Sequence, residues 1–267
     1  GIHIADVSRY VPWNSSIDLD ARRRATSVYL ADRVIPMLPE ELSGDLCSLR
    51  PNEDRLTMTA DLYLDNESRL VGYDLYPAVI RSAARLAYDE AQNLLDECSG
   101  NPGQSASDAS SQESAQCPYA GDHADFGNLH DGLAWRLQQL SFLAQRRAAA
   151  RKAAGGLDFD TVEARVKLDD GDHPIGVDLR RKTDATSLVE EAMILANETV
   201  AAHLCGAGFP GIFRVHERPA AESLEGLVPV FQEFSWFDAV DRNKLIAGDP
   251  RELQRILAVS ANRSEGE

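Results

Sequence analysis

Ten residues in strict alternation constrain this chain more than any other feature of it. Between 55 and 64, Leu56, Met58, Ala60, Leu62 and Leu64 point one way and Arg55, Thr57, Thr59, Asp61 and Tyr63 the other. That period of two belongs to a half-buried β-strand. Asp65, Asn66, Glu67 and Ser68 supply turn chemistry, and residues 70–80 resume with β-compatible side chains, which predicts a hairpin and a sheet at least partly antiparallel. Pro77 cannot donate to a ladder, so the second strand is expected at an edge or a bulge.

Elsewhere the period lengthens. Leu133, Leu137, Leu140 and Ala144 recur at helical spacing, and Gly155-Gly156 stops the run. A second long helix is expected over 184–205, with Val189, Met193, Ala196 and Val200 as its apolar stripe and Ser187 with Glu190 as a capping box. Shorter strands are expected over 2–11, 159–168, 174–179 and 212–216, and shorter helices over 18–29, 86–95 and 251–259. Long helices beside a hairpin-containing sheet make an α+β fold, with a mixed, largely antiparallel sheet. Residues 101–116 are Gly, Ser, Ala, Gln and Asp with almost no large apolar side chain, a composition that cannot offset the entropy of ordering. The expected organisation is therefore one domain in two parts, 1–97 and 131–267, separated by a flexible insertion over 98–130.

Generic chemistry is sparse. The chain has no GxxxxGKS/T phosphate loop, no HExxH pair, no GxSxG elbow and no GxGxxG turn. Cys47, Cys98, Cys117 and Cys205 form no CxxC pair, so structural disulfides are not expected and a reducing compartment fits. Cys98 and Cys117, considered with His123 and His130, stand too far apart for a zinc knuckle. Asp18 with Asp20, and Asp169 with Asp170, read as solvated turns. Lys and Arg number 27 against 43 Asp and Glu, a net charge of −16. That balance argues against a broad basic face gripping duplex DNA or an anionic membrane, and leaves a nucleic acid only a local groove. With no apolar run long enough to span a bilayer and no secretion signal at the start, the expectation is a cytoplasmic monomer with no membrane contact.

Longer blocks say more. GIHIADVS at 1–8, RRRATSVYL at 22–30, VIPMLPEELS at 34–43, LCSL at 46–49, DRL at 54–56, AARL at 83–86 with Tyr88, EEAMILAN at 190–197 and FRVHERP at 213–219 follow one another in an order and spacing that resemble the RNB domain of the ribonuclease II and ribonuclease R family. The resemblance implies hydrolytic 3′-to-5′ degradation of single-stranded RNA to nucleoside 5′-monophosphates with Mg²⁺. Such chemistry uses divalent ions held by carboxylates, one activating water and the other stabilising the leaving oxygen. In the family the Asp cluster precedes the segment that matches 1–8. A Gly-, His- and Phe-rich block and a Ser-Pro-Ile-Arg-Arg motif follow the region matched here, and RNA-binding barrels flank the domain. The chain is thus expected to be a fragment with no catalytic or metal-ligating residue of its own and negligible nuclease activity alone.

Three positions carry over from the resemblance. Tyr29 matches the aromatic that stacks on the 3′-terminal base, and Phe159 the aromatic on the other side of the final bases. Stacking suits a sequence-tolerant nuclease because every base has a π-face. Glu190 matches an acid near the sugar-phosphate backbone, where a carboxylate can accept a ribose hydroxyl and help tell RNA from DNA. Taken alone, Tyr29 reads equally as an aromatic at a helix end, Phe159 as strand core and Glu190 as a capping partner. His216 reads as structural, since two-metal hydrolysis needs no histidine base. The alternative function is a non-catalytic RNA-binding or protein-interaction module on the same fold.

Overall fold

A computed structural model describes residues 1–99, 129–157, 162–213, 215, 217–234, 237 and 240–261. The chain divides into two compact units, one of Gly1–Gln145 with Asp160–Val200, the other of Arg146–Phe159 with Ala201–Glu267. Residues 100–128 of the expected insertion over 98–130, like the side chains considered for zinc, lie outside the described residues, whereas 98–99 and 129–130 are helical.

In the first unit, strand β1 (Ile2–Ala5) and helix α1 (Ser16–Arg24) are followed by the short strands β2 (Val28–Tyr29) and β3 (Val34–Ile35). The long strands β4 (Asp54–Leu64) and β5 (Leu70–Arg81) come next, then helix α2 (Tyr88–Ser99). Strands β1, β4 and β5 make an antiparallel sheet in that order, and β2 pairs with β3 as a separate ribbon. The alternation over 55–64 is the central strand. Pro77 sits opposite Met58 on the edge strand, where a missing donor costs least, and the register shift falls between Tyr63 and Leu64 instead.

The two rows of β4 differ from what polarity alone suggests. Thr57 and Thr59 are 1% and 2% exposed, whereas Met58 on the apolar row is 47% exposed. Burying the threonines is tolerable because their hydroxyls meet at 3.1 Å and Thr59 also meets His3 Nδ1 at 2.9 Å, so no buried polar group is left unpaired.

Two expected elements end early. The strand expected over 2–11 stops at Ala5: the Asp6 amide still donates to Leu56, but Tyr10 and Val11 donate back to Val7 and curl the chain into a 3₁₀ turn. The helix expected over 18–29 stops at Arg24, because Ala25 adopts a left-handed conformation with φ of 61° and the chain leaves as β2. Ser15 starts that helix by accepting the Asp18 amide.

Helix α3 (Leu129–Ala153) ends as expected before Gly155, whose φ of 105° suits a glycine. Strands β6 (Glu163–Leu168) and β7 (Pro174–Arg180) form a second antiparallel hairpin, nearly all of it exposed, and lead into helix α4 (Asp184–Gly206). The start of α4 corrects the expected capping box. Thr183 and Thr186 bond reciprocally, Thr183 Oγ1 accepting the Thr186 amide and Thr186 Oγ1 the Thr183 amide, so Ser187 and Glu190 lie inside the helix. Its buried face also differs from the expected stripe. Ala185, Leu188, Leu195, Ala196 and Thr199 are buried, while Val189, Met193 and Val200 are exposed and only Ala196 is shared.

The second unit has its own core. Val228, Leu245 and Ile256 are buried against Phe231, Phe234, Phe237, Val240 and Leu253, which joins helices α5 (Ala221–Phe231), α6 (Arg242–Ile246) and α7 (Pro250–Ala261). Asp241 caps α6, Asp249 caps α7, and Pro250 takes the first helical position of α7. The buried Glu252 accepts the Asp241 amide, and its bond to Arg255 holds its carboxyl below the usual range. The stability Glu252 contributes is therefore present at neutral pH and lost as pH falls through that lowered value. Ile212, Phe213 and Val215, expected in a strand, belong to none, and Ile212 is fully exposed.

Candidate nucleic-acid interface

The site assembles from α2, the β6–β7 hairpin and the first turns of α4, all within the first unit. Tyr88 opens α2, and the Glu90 carboxylate accepts the Ala87 amide and fixes that start. One turn later, Gln92 Oε1 accepts the Ala185 amide at 3.0 Å. This bond ties the first turn of α4 to the face of α2 that carries Tyr88. Arg180 ends β7, and its guanidinium stands over the Tyr88 ring, 5.2 Å from the centroid.

Around this pair lies a cavity of about 740 Å³ lined in part by Arg85, Leu86, Tyr88, Arg165, Asp178 and Arg180. Beside it is a smaller one of about 270 Å³, which shares Tyr88 and Arg180 and adds Glu163, Arg181, Lys182, Thr186 and Glu190. Charge here runs against the balance of the chain. Asp178 is bound by Lys167 at 2.8 Å and Glu190 by Lys182 at 2.7 Å. Arg85, Arg165 and Arg180 form no ion pair with a described residue, so their charge is available to an anion. Behind the cleft, burial and then the neighbouring Asp96 push the Asp184 carboxyl up.

An aromatic ring, uncommitted guanidinium groups and a carboxylate in one groove can stack a base, hold phosphates and bond a sugar hydroxyl. Of the sequence-predicted residues, Glu190 lies in this cleft. Tyr29 does not line it; it stands on the β2–β3 ribbon opposite Val34, 78% exposed, with its ring open to solvent. Phe159 and His216 lie outside the described residues. Sequence reasoning passed over Tyr88, Arg165 and Arg180 as site residues. The available signal was the run Arg180-Arg181-Lys182, a cationic stretch following a strand in an otherwise acidic chain.

The Mg²⁺ implied by the resemblance needs a convergent set of carboxylates. Among the described residues no group of three or more His, Cys, Asp or Glu side chains could hold a metal ion. The described residues therefore do not fit the ion. No helix among the described residues is long and apolar enough to cross a membrane.

Comparison with known proteins agrees in sequence and in fold. A family profile described as the RNB domain matches residues 1–264. Ribonuclease R of Aquifex aeolicus is 38% identical over 234 residues, which are 86% of this chain and 29% of that protein. Ribonuclease R of Escherichia coli is 33% identical over 266 residues, the full length of this chain and 29% of that protein. Mycoplasma genitalium RNase R, solved in complex with ribose-methylated single-stranded RNA, superposes with a TM-score of 0.78 at 27% identity, over 98% of this chain and 36% of that one. The chain thus spans less than a third of the length of these two curated relatives.

Proposed function

The chain belongs to the RNB-domain family of ribonuclease R, and from that premise we propose that it guides single-stranded RNA within a hydrolytic 3′-to-5′ exoribonuclease that releases nucleoside 5′-monophosphates. The observation that carries this reading is the convergence, in two adjoining cavities that share Tyr88 and Arg180, of Glu190 and three arginines with no ion pair to a described residue, in a chain whose net charge is −16. Arg85, Arg165 and Arg180 take backbone phosphates. Glu190, which lines the smaller cavity with Tyr88, takes a ribose 2′-hydroxyl, the group that separates RNA from DNA. Tyr29, exposed on its own ribbon, stacks a terminal base. Stacking of this kind contributes about 1–3 kcal/mol per base without regard to sequence.

Mg²⁺, when bound by the whole enzyme, would supply activated water and charge neutralisation at the scissile phosphate. The 267-residue polypeptide on its own binds RNA and leaves it intact. Titrating the polypeptide into RNA labelled at its 5′ end, with Mg²⁺ present, tests both statements. The expected result is a rise in anisotropy with no stepwise shortening, and a preference for RNA over DNA of the same sequence that narrows in Glu190→Ala. Absence of binding at low salt would overturn the reading. Stepwise shortening would place the catalytic carboxylates within these residues.

A further inference from the structure

Trp13 is 80% exposed, an uncommon state for so large an apolar side chain in a position this well fixed. The turn that carries it is tied on every side. The Ser15 amide donates to Pro12, Asn14 adopts a left-handed φ of 61°, and its amide donates to Asp18 Oδ2 at 2.8 Å. Asp18 in turn grips Arg22 through both carboxylate oxygens, which holds the Arg22 guanidinium over the Trp13 ring, 4.0 Å from the centroid. One face of the indole is thus covered by a cation and the other is left to solvent. Arg9 precedes the turn and Arg23 follows Arg22, and neither forms an ion pair with a described residue. A fixed aromatic plane backed by one guanidinium complements a nucleobase, whose π-face stacks on the open side of the indole, better than an apolar partner.

We propose that Trp13 and Arg22 form a second stacking platform for a nucleobase of single-stranded RNA, distinct from Tyr29 and from the Tyr88–Arg180 cleft. It rests on the reading that the chain binds RNA, and it adds a contact point to that path. The occupant is a base stacked on the open indole face, opposite the Arg22 guanidinium.

The test uses the full 267-residue chain and oligoadenylate, followed by tryptophan emission and, independently, by anisotropy of labelled RNA. Stacking on Trp13 should quench emission in the parent chain, and Trp13→Phe should remove most of that quench while retaining binding. Trp13→Ala should weaken affinity about 5- to 160-fold, the range expected for the loss of one stacked base. Because the ring is exposed, the substitution leaves the fold intact, which an unchanged circular dichroism spectrum and unfolding midpoint verify. If the parent chain binds RNA and Trp13→Ala binds equally well with no change in quench, the platform is overturned while the RNA reading stands. If the parent chain does not bind RNA, both fall together.

Discussion

The two hairpins of the first unit have the same topology and opposite uses. The hairpin of β4 and β5 gains a third strand from β1, buries Thr57, Thr59 and Ala60, and ends in Arg81, whose charge is spent on Asp54 across the ladder at 2.8 Å. The hairpin of β6 and β7 has no third strand among the described residues, and only Leu168 in it is even half-buried. It ends in Arg180, which faces Glu163 in register yet pairs with no described carboxylate. An isolated two-stranded hairpin is marginally stable. Retaining one with so little burial makes sense where its charged face has work outside the fold, and its end lies in the Tyr88 cleft. Burial separates the scaffold from the interface here; strand count and alternation do not.

The largest test of that contrast is stability. Ala60→Asp places a carboxylate in the buried centre of β4 and is expected to destabilise the chain by about 3–5 kcal/mol, as an uncompensated buried charge does. Val177→Asp, at an exposed position of β7, should stay within about 0.5 kcal/mol. Urea unfolding midpoints distinguish them, and equal losses would erase the distinction. Next is RNA affinity, where the terminal arginines should part company. Arg180→Ala should weaken single-stranded RNA binding about 3- to 10-fold and make the salt dependence shallower by about 0.7, the share of one phosphate contact. Arg81→Ala should change neither. The smallest effect concerns pH. Arg81 holds the Asp54 carboxyl below its ordinary value, chiefly by hydrogen bonding. The stabilisation is therefore present at neutral pH and lost as pH falls through the lowered value. Asp54→Asn should leave unfolding in acid unchanged and lower the midpoint slightly at neutral pH. A midpoint gap between Asp54→Asn and the parent that does not vary with pH would show the pair is inert.

What was legible in the sequence follows from how local each determinant is. The β4–β5 hairpin was readable because ten alternating residues and an Asp-Asn turn act through near neighbours. The ends of β1 and α1 were not, since one depends on Tyr10 and Val11 turning back onto Val7 and the other on Ala25 taking a conformation that glycine usually supplies. On α4 the expected stripe missed the buried face, because a helix with apolar residues on several sides does not announce which side is packed. Glu190 is picked out by the family blocks, whereas Tyr88 and Arg180, which line the same cavity, come together from separate elements, α2 and β7, a proximity that no spacing rule encodes. The threonine row of β4 misled for the opposite reason: polarity suggested solvent, and reciprocal hydroxyl bonding made burial tolerable.

The most direct trial of the RNA cleft is a salt series of single-stranded RNA titrations on the parent chain and on Arg85→Ala/Arg165→Ala/Arg180→Ala. Removing three phosphate-binding guanidinium groups at once should lower affinity by more than about tenfold at low salt and reduce the slope of log affinity against log salt by about 2. Superimposable lines for the two proteins would show that RNA, if it binds, travels elsewhere on the molecule.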